Sequence, residues 1–248
     1  MISISNLSVT FSKGTATEVA ALRNVSVTIG KGEFVVLLGS NGSGKSTLLN
    51  TIAGTVIPDS GTVLIEDNNV TRMPDFERSR WISRIFQDPL SGTAPDLSVV
   101  ENFRLASLRT GSKKLVNGIS RDFRSRVAGQ VSQLGIGLES RLDVPVGSLS
   151  GGQRQALTLL MASMDYSGVM LLDEPAAALD PRTADQVMTL ADRIIREKQI
   201  TAILVTHNLR DAIRYGTRII LMSEGSIKKD IDKKSAANLD ISDLYSWF

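Results

Sequence analysis

Phe34-Val35-Val36-Leu37-Leu38-Gly39-Ser40-Asn41-Gly42-Ser43-Gly44-Lys45-Ser46-Thr47 carries a five-residue apolar run straight into a glycine-rich turn. The run reads as a buried strand, and the apolar-periodic segment Lys45–Ala53 behind the turn reads as a helix. Between them the spacing G-x-x-x-x-G-K-[ST] occurs in the strand–loop–helix setting that this phosphate-binding motif requires. Glycines at 39, 42 and 44 let successive backbone N–H groups turn inward on a β-phosphate, and the helix N-terminus adds partial positive charge. Lys45 is placed to reach β- and γ-phosphates, and the Ser46 hydroxyl to ligate Mg²⁺. Ser40, Asn41, Ser43 and Thr47 complete the expected cradle.

Outward from this unit, apolar or alternating runs at residues 2–11, 25–29, 62–65, 82–86, 169–172, 201–206 and 218–222 predict further strands. Helical periodicity marks residues 122–134, 151–164, 182–197 and 209–215. The alternation predicts an α/β fold with a mainly parallel core sheet. Residues 99–147 hold no strand-like run and read as a helical insertion, with Arg121, Arg124 and Arg126 on a solvated helix face. No internal repeat or linker divides the chain, so we expect one domain, 1–248. Its core would comprise about 1–98 and 148–230, with a helical subdomain over 99–147 and a tail over 231–248.

Composition narrows the chemistry. Apolar residues at 42% and charged residues at 22% of 248 residues fit a globular enzyme. A net charge of +2 is too small to argue for a nucleic-acid partner. The absence of cysteine removes thiol catalysis, cysteine-ligated zinc and iron–sulfur clusters, and the single histidine, His207, removes multi-histidine metal sites. No apolar run approaches a spanning helix, and the first residues lack a secretory signal pattern, so a cytoplasmic location is expected.

Val169-Met170-Leu171-Leu172-Asp173-Glu174 is an apolar run that ends in two carboxylates, at the sheet edge where ligands of parallel sheets bind. Asp173 suits a water-mediated hold on Mg²⁺. Glu174 suits orienting and deprotonating the water that attacks a γ-phosphate.

Between these elements lies Leu149-Ser150-Gly151-Gly152-Gln153, opening a helix. With its order and spacing relative to the phosphate loop, it resembles the L-S-G-G-Q signature of the ATP-binding cassette (ABC) family, and the resemblance extends from Ile2 to about Lys229. It implies a P-loop NTPase core with an N-terminal antiparallel β subdomain, and ATP with Mg²⁺ as cofactors. It also implies further roles. Gln87 is similar to the glutamine that senses Mg²⁺ and the attacking water, and Asp180 in Ala178-Leu179-Asp180 lies in the loop that crosses the dimer interface. His207 matches the switch histidine that contacts the γ-phosphate, and Phe11 the aromatic that stacks on adenine. Ser150 and Gly152, at a second anion-binding helix end, would serve the ATP of a second copy of the chain or a homologous cassette, paired head to tail. Where the family usually has a small hydroxyl residue after Glu174-Pro175, this chain has Ala176; little effect is expected.

The 105 residues from Lys45 to Ser150 leave no room for the long coiled coil of chromosome and repair ATPases. The resemblance therefore implies a subunit on the cytoplasmic face of the membrane that powers separate permease subunits. A soluble ATPase of iron–sulfur assembly is the alternative. Asp143-Val144-Pro145-Val146-Gly147-Ser148, ahead of the signature, lacks the acidic, glycine-containing pattern of multidrug exporters and points to import, with an extracytoplasmic solute-binding protein as a further partner. Runs such as Gln87-Asp88-Pro89-Leu90-Ser91-Gly92-Thr93-Ala94 resemble amino-acid uptake cassettes of the tryptophan-like or branched-chain-like kind. Residues 88–102 are expected to help form a groove for a coupling helix of the permease, with Leu90, Leu97 and Val99 as contacts. The aromatics at 245–248 are expected to pack on the cassette surface.

Overall fold

The computed structural model describes residues 1–109, 118–164, 168–232, 235 and 244. The strands are β1 (Ile2–Phe11), β2 (Val19–Ile29), β3 (Phe34–Leu38), β4 (Ser60–Ile65), β5 (Asn68–Asn69), β6 (Ile82–Ile85), β7 (Val169–Asp173), β8 (Thr201–Val205), β9 (Arg218–Ser223) and β10 (Ser226–Asp232). The helices are α1 (Lys45–Ala53), α2 (Asp75–Arg78), α3 (Val99–Ser107), α4 (Arg121–Ser132), α5 (Gly151–Ala162), α6 (Pro181–Glu197) and α7 (Leu209–Tyr215).

β3 shows why its sequence is apolar throughout. It runs parallel to both β8 and β9 inside a six-stranded sheet ordered β10-β9-β3-β8-β7-β6, so both of its faces are covered. Strand alternation sends Phe34, Val36 and Leu38 into a core shared with α3 to α6, and Val35 and Leu37 into a second core shared with α1 and the N-terminal sheet. β7 divides the same way, Met170 and Leu172 against Val169 and Leu171. Each fully buried Leu or Val side chain contributes about 1.5–3 kcal/mol. Every pairing in this sheet is parallel except β10 on β9.

The N-terminal sheet is antiparallel in the order β2-β1-β4-β5. The α/β P-loop architecture with a mainly parallel sheet and an antiparallel β layer is thus the observed one. The structure also departs from expectation at several elements. β2 begins at Val19 rather than at residue 25, the strand predicted through Phe86 ends at Ile85, and β10 was not foreseen.

Capping fixes the helices that matter for the site. Ser150 caps α5 and Ser98 caps α3, each in a reciprocal capping box, with Gln153 and Glu101 respectively. Asp180 caps α6 with Pro181 at its first position. In α4, Arg124 pairs with Asp143 and Arg126 lies 5.7 Å from the Phe123 ring centroid, so these two cations are engaged rather than merely solvated.

Candidate nucleotide site

The phosphate loop folds back on itself through Lys45. Its buried ammonium donates to Gly39 O at 2.7 Å and Ser40 O at 2.9 Å, which draws the loop into a closed turn. Burial pushes this ammonium below its ordinary pKa, while Glu174 and Asp173 pull the other way. Gly44 caps α1 at φ 101°, and a Cβ there would lie 2.6 Å from Ala21 O, so the loop can pass under β2 only with glycine at this position. Gly225 N donates to Ser43 O and Gly225 O accepts from Arg23 N, fastening the loop to the β9–β10 turn and to β2. Ser40, Asn41, Gly42 and Ser46 remain exposed. Phe11, 42% exposed at the end of β1, stands opposite Val19, two residues from Ala21.

At the ends of the neighbouring strands stand the other candidates. Asp173 ends β7, and Glu174 follows in a left-handed conformation, φ 46°, with its N–H bonded to Val205 O. A non-glycine residue in that region is strained, a condition that recurs where function fixes a side chain's direction. Glu174 Oε1 lies 2.6 Å from His207 Nε2, just beyond β8. Gln87 is exposed two residues past β6, and the preceding Phe86 carbonyl accepts from buried Gln155. Parallel strands β3, β8, β7 and β6 therefore bring Lys45, His207, Asp173, Glu174 and Gln87 to one sheet edge.

Ser150, Gly151, Gly152 and Gln153 are placed otherwise. They open α5 beside the start of α6, where a Cβ on Gly151 would sit 3.3 Å from Leu179 Cδ2. Among the described residues no hydrogen bond joins them to the phosphate loop. Asp180 accepts from Thr183 N, and hydrogen bonds from Thr183 hold its carboxyl below the usual range. A Cβ on Gly152 would overlap Thr183 Cγ2. Gly152→Ala is accordingly expected to cost about 1–3 kcal/mol in urea unfolding. Adding Thr183→Ser, which deletes the obstructing methyl, is expected to restore most of it.

The residues fit a nucleotide. The loop offers backbone N–H groups and a cation to phosphates, and Ser46 and Asp173 offer the oxygen donors that a hard divalent cation takes. Among the described residues no group of three or more His, Asp or Glu side chains forms a protein-only metal cage, so such a cation would need phosphate oxygens as well.

The profile of the ABC transporter family matches residues 22–177. Over the full 248 residues the chain is 40% identical to the tyrosine transport ATP-binding protein of Clostridioides difficile, covering 98% of that protein. The chain belongs to the ABC transporter family. The thiamine import ATP-binding protein ThiQ of Salmonella typhimurium is 39% identical over 197 residues, 79% of each chain. Among solved structures, a dimeric ATP-binding cassette in a post-hydrolysis state, bound to ADP and Pi, superposes at TM-score 0.79 with 29% identity, covering 94% of this chain and 99% of that one. The cassette cbiO1 from Clostridium perfringens, part of the ABC transporter complex cbiONQ, matches at TM-score 0.78 and 28% identity over 94% and 88% of the two chains. This ABC protein is accordingly an ATP-binding ATPase of a transporter. No helix among the described residues is long and apolar enough to cross a membrane.

Beside the site a groove of about 620 Å³ runs between α2, β6 and α3, lined by Phe76, Arg84, Phe86, Thr93, Leu105 and Met161. Of the three apolar side chains expected from sequence as contacts, Val99 is ruled out by its burial. Leu90 and Leu97, although exposed, do not line the groove. The exposed large apolar side chains that do are Phe76, 72% exposed, and Leu105. Arg84, Phe76, Arg78 and Gln155 were missed. Arg84, Arg78 and Gln155 each bond a residue far away in sequence, and Phe76 is a lone exposed aromatic, so no local pattern marks them. The aromatics at 245–248 lie outside the described residues.

Proposed function

We propose that this ATPase drives import of an amino acid or other small solute through separate permease subunits, as a peripheral protein on the cytoplasmic face of the membrane. The observation that carries the cargo class is the 40% identity with a tyrosine transport ATP-binding protein along the entire chain. The 39% identity with a thiamine import protein supports the direction. The groove walled by Phe76 and Leu105 is the proposed seat of a short permease helix, and a solute-binding protein outside the membrane is the further partner. In this reading residues 99–147 act as a helical subdomain on a core of about 1–98 and 148–230, followed by a tail over 231–248.

The mechanism follows from where the side chains stand. Phe11 offers its ring to adenine. Residues 39–47 wrap the phosphates, with Lys45 turning from its own loop carbonyls toward the β- and γ-oxygens. Ser46, Asp173 and Gln87 would hold Mg²⁺, which would supply neutralisation of charge on the phosphate oxygens. Glu174, aimed by its 2.6 Å contact with His207, takes the proton of the attacking water, and His207 then serves the γ-phosphate. Ser150, Gly151, Gly152 and Gln153, with Asp180 beside them, are a separate anion-binding end without phosphates of its own chain to serve, so they suit the ATP of a partner cassette. ATP favours the closed pair because only that state joins both half-sites.

The Glu174→Gln chain with Mg-ATP is expected to double its mass in light scattering, and Ser150→Phe is expected to prevent this. A chain that stays monomeric at saturating ATP would overturn pairing between like copies.

A further inference from the structure

Asp173 has a cationic partner of its own. In the parallel pairing of β6 and β7, Arg84 stands opposite Leu171, so its side chain shares a face with Asp173 two residues on. Arg84 Nη2 donates to Asp173 Oδ2 at 3.4 Å, and the two side chains are only 16% and 17% exposed. At that burial a carboxylate holds its charge best with a partner beside it. The guanidinium is itself only partly engaged. Its carbon lies 4.7 Å from the Phe86 ring centroid, and its buried Nε has no partner among the described residues. Arg84 and Phe86 both form part of the groove wall, so the guanidinium has open space to move into without leaving the ring.

We propose that Arg84 is a positioning residue for the metal site: it neutralises and orients Asp173, and a divalent cation must displace it from that carboxylate. The inference rests on Asp173 being a metal-binding residue. A unit positive charge in a partly buried site opposes a divalent cation bound to the same carboxylate, and the 3.4 Å contact is long enough to be broken without loss of a short, strong ion pair. Arg84 thereby weakens metal binding, sets the metal concentration at which the site fills, and keeps Asp173 aligned at lower concentrations.

The test reads metal occupancy directly. Free Mn²⁺ is titrated by electron paramagnetic resonance against the full-length Glu174→Gln chain saturated with ATP. Arg84→Met, which keeps the stem but not the charge, is expected to bind Mn²⁺ about tenfold more tightly. Arg84→Lys, which keeps the charge, is expected to stay within about threefold of the parent and covers the case in which the Met variant does not fold. In an Asp173→Asn background the gain from Arg84→Met is expected to shrink to about threefold, because the contact with the carboxylate is gone and only the direct repulsion of the cation remains. If Asp173→Asn weakens Mn²⁺ but Arg84→Met leaves it unchanged or weakens it too, the inference about Arg84 is wrong. If Asp173→Asn has no effect, the metal-site reading fails, and this inference with it.

Discussion

Glu174→Gln is expected to reduce steady-state ATP hydrolysis by about 10²–10³-fold while leaving nucleotide affinity within a few-fold of the parent. Glutamine keeps the volume and can still hydrogen-bond His207, so the 2.6 Å contact and the left-handed backbone are both retained in altered form. Only the capacity to accept a proton is lost. A base lost with binding preserved lowers the turnover number rather than raising the Michaelis constant. Fluorescent-nucleotide binding alongside phosphate release measures both. His207→Ala is expected to show a smaller loss, since it frees Glu174 from its aim without removing the base.

The second large effect lies outside the site. Arg78 is fully buried, and its guanidinium donates to four carbonyls: Thr51 and Ile52 at the end of α1, and Thr71 and Met73 in the approach to α2. Burial pushes its pKa down to about 10, still protonated at neutral pH. The α1 carbonyls are among those that a helix end leaves unpaired, and the positive charge sits at the negative end of the helix dipole. Arg78→Ala would strand those carbonyls and open a cavity, and is expected to cost about 3–5 kcal/mol in urea unfolding. Arg78→Lys keeps the charge but cannot fork to four acceptors, and about half that loss is expected. Since α1 carries Lys45 at its other end, nucleotide affinity of the Ala variant is expected to fall as well.

These two residues show what the sequence made legible. Glu174 stands in a local pattern, an apolar strand running into carboxylates, and the phosphate loop is a contiguous stretch whose glycines have steric reasons visible in the motif itself. Both could be placed before the fold was known. Arg78 and Arg84 could not, because the partners that give them their roles, Thr51 at the end of α1 and Asp173, lie 27 and 89 residues away. The same physics hid β10, whose Ser-Ile-Lys-Lys-Asp-Ile-Asp has no fully buried residue, only Ile227 and Ile231 packed partly against the cores, and pairs as an edge on β9. Val99 illustrates the opposite error. An apolar residue in a loop-to-helix segment reads as a contact for a partner, but as the first residue of α3 it faces the core.

Separation of the signature helix from the phosphate loop, with the groove beside β6, makes transport coupling the central claim. The most direct measurement is to add Mg-ATP to native membranes containing tagged Glu174→Gln protein, solubilise gently, and identify what copurifies by mass spectrometry. A multi-span permease, together with an extracytoplasmic solute-binding protein, is the result predicted, and Phe76→Ala is expected to reduce the permease yield. Recovery of soluble partners alone, with no membrane protein, would contradict the account and favour an assembly-type ATPase.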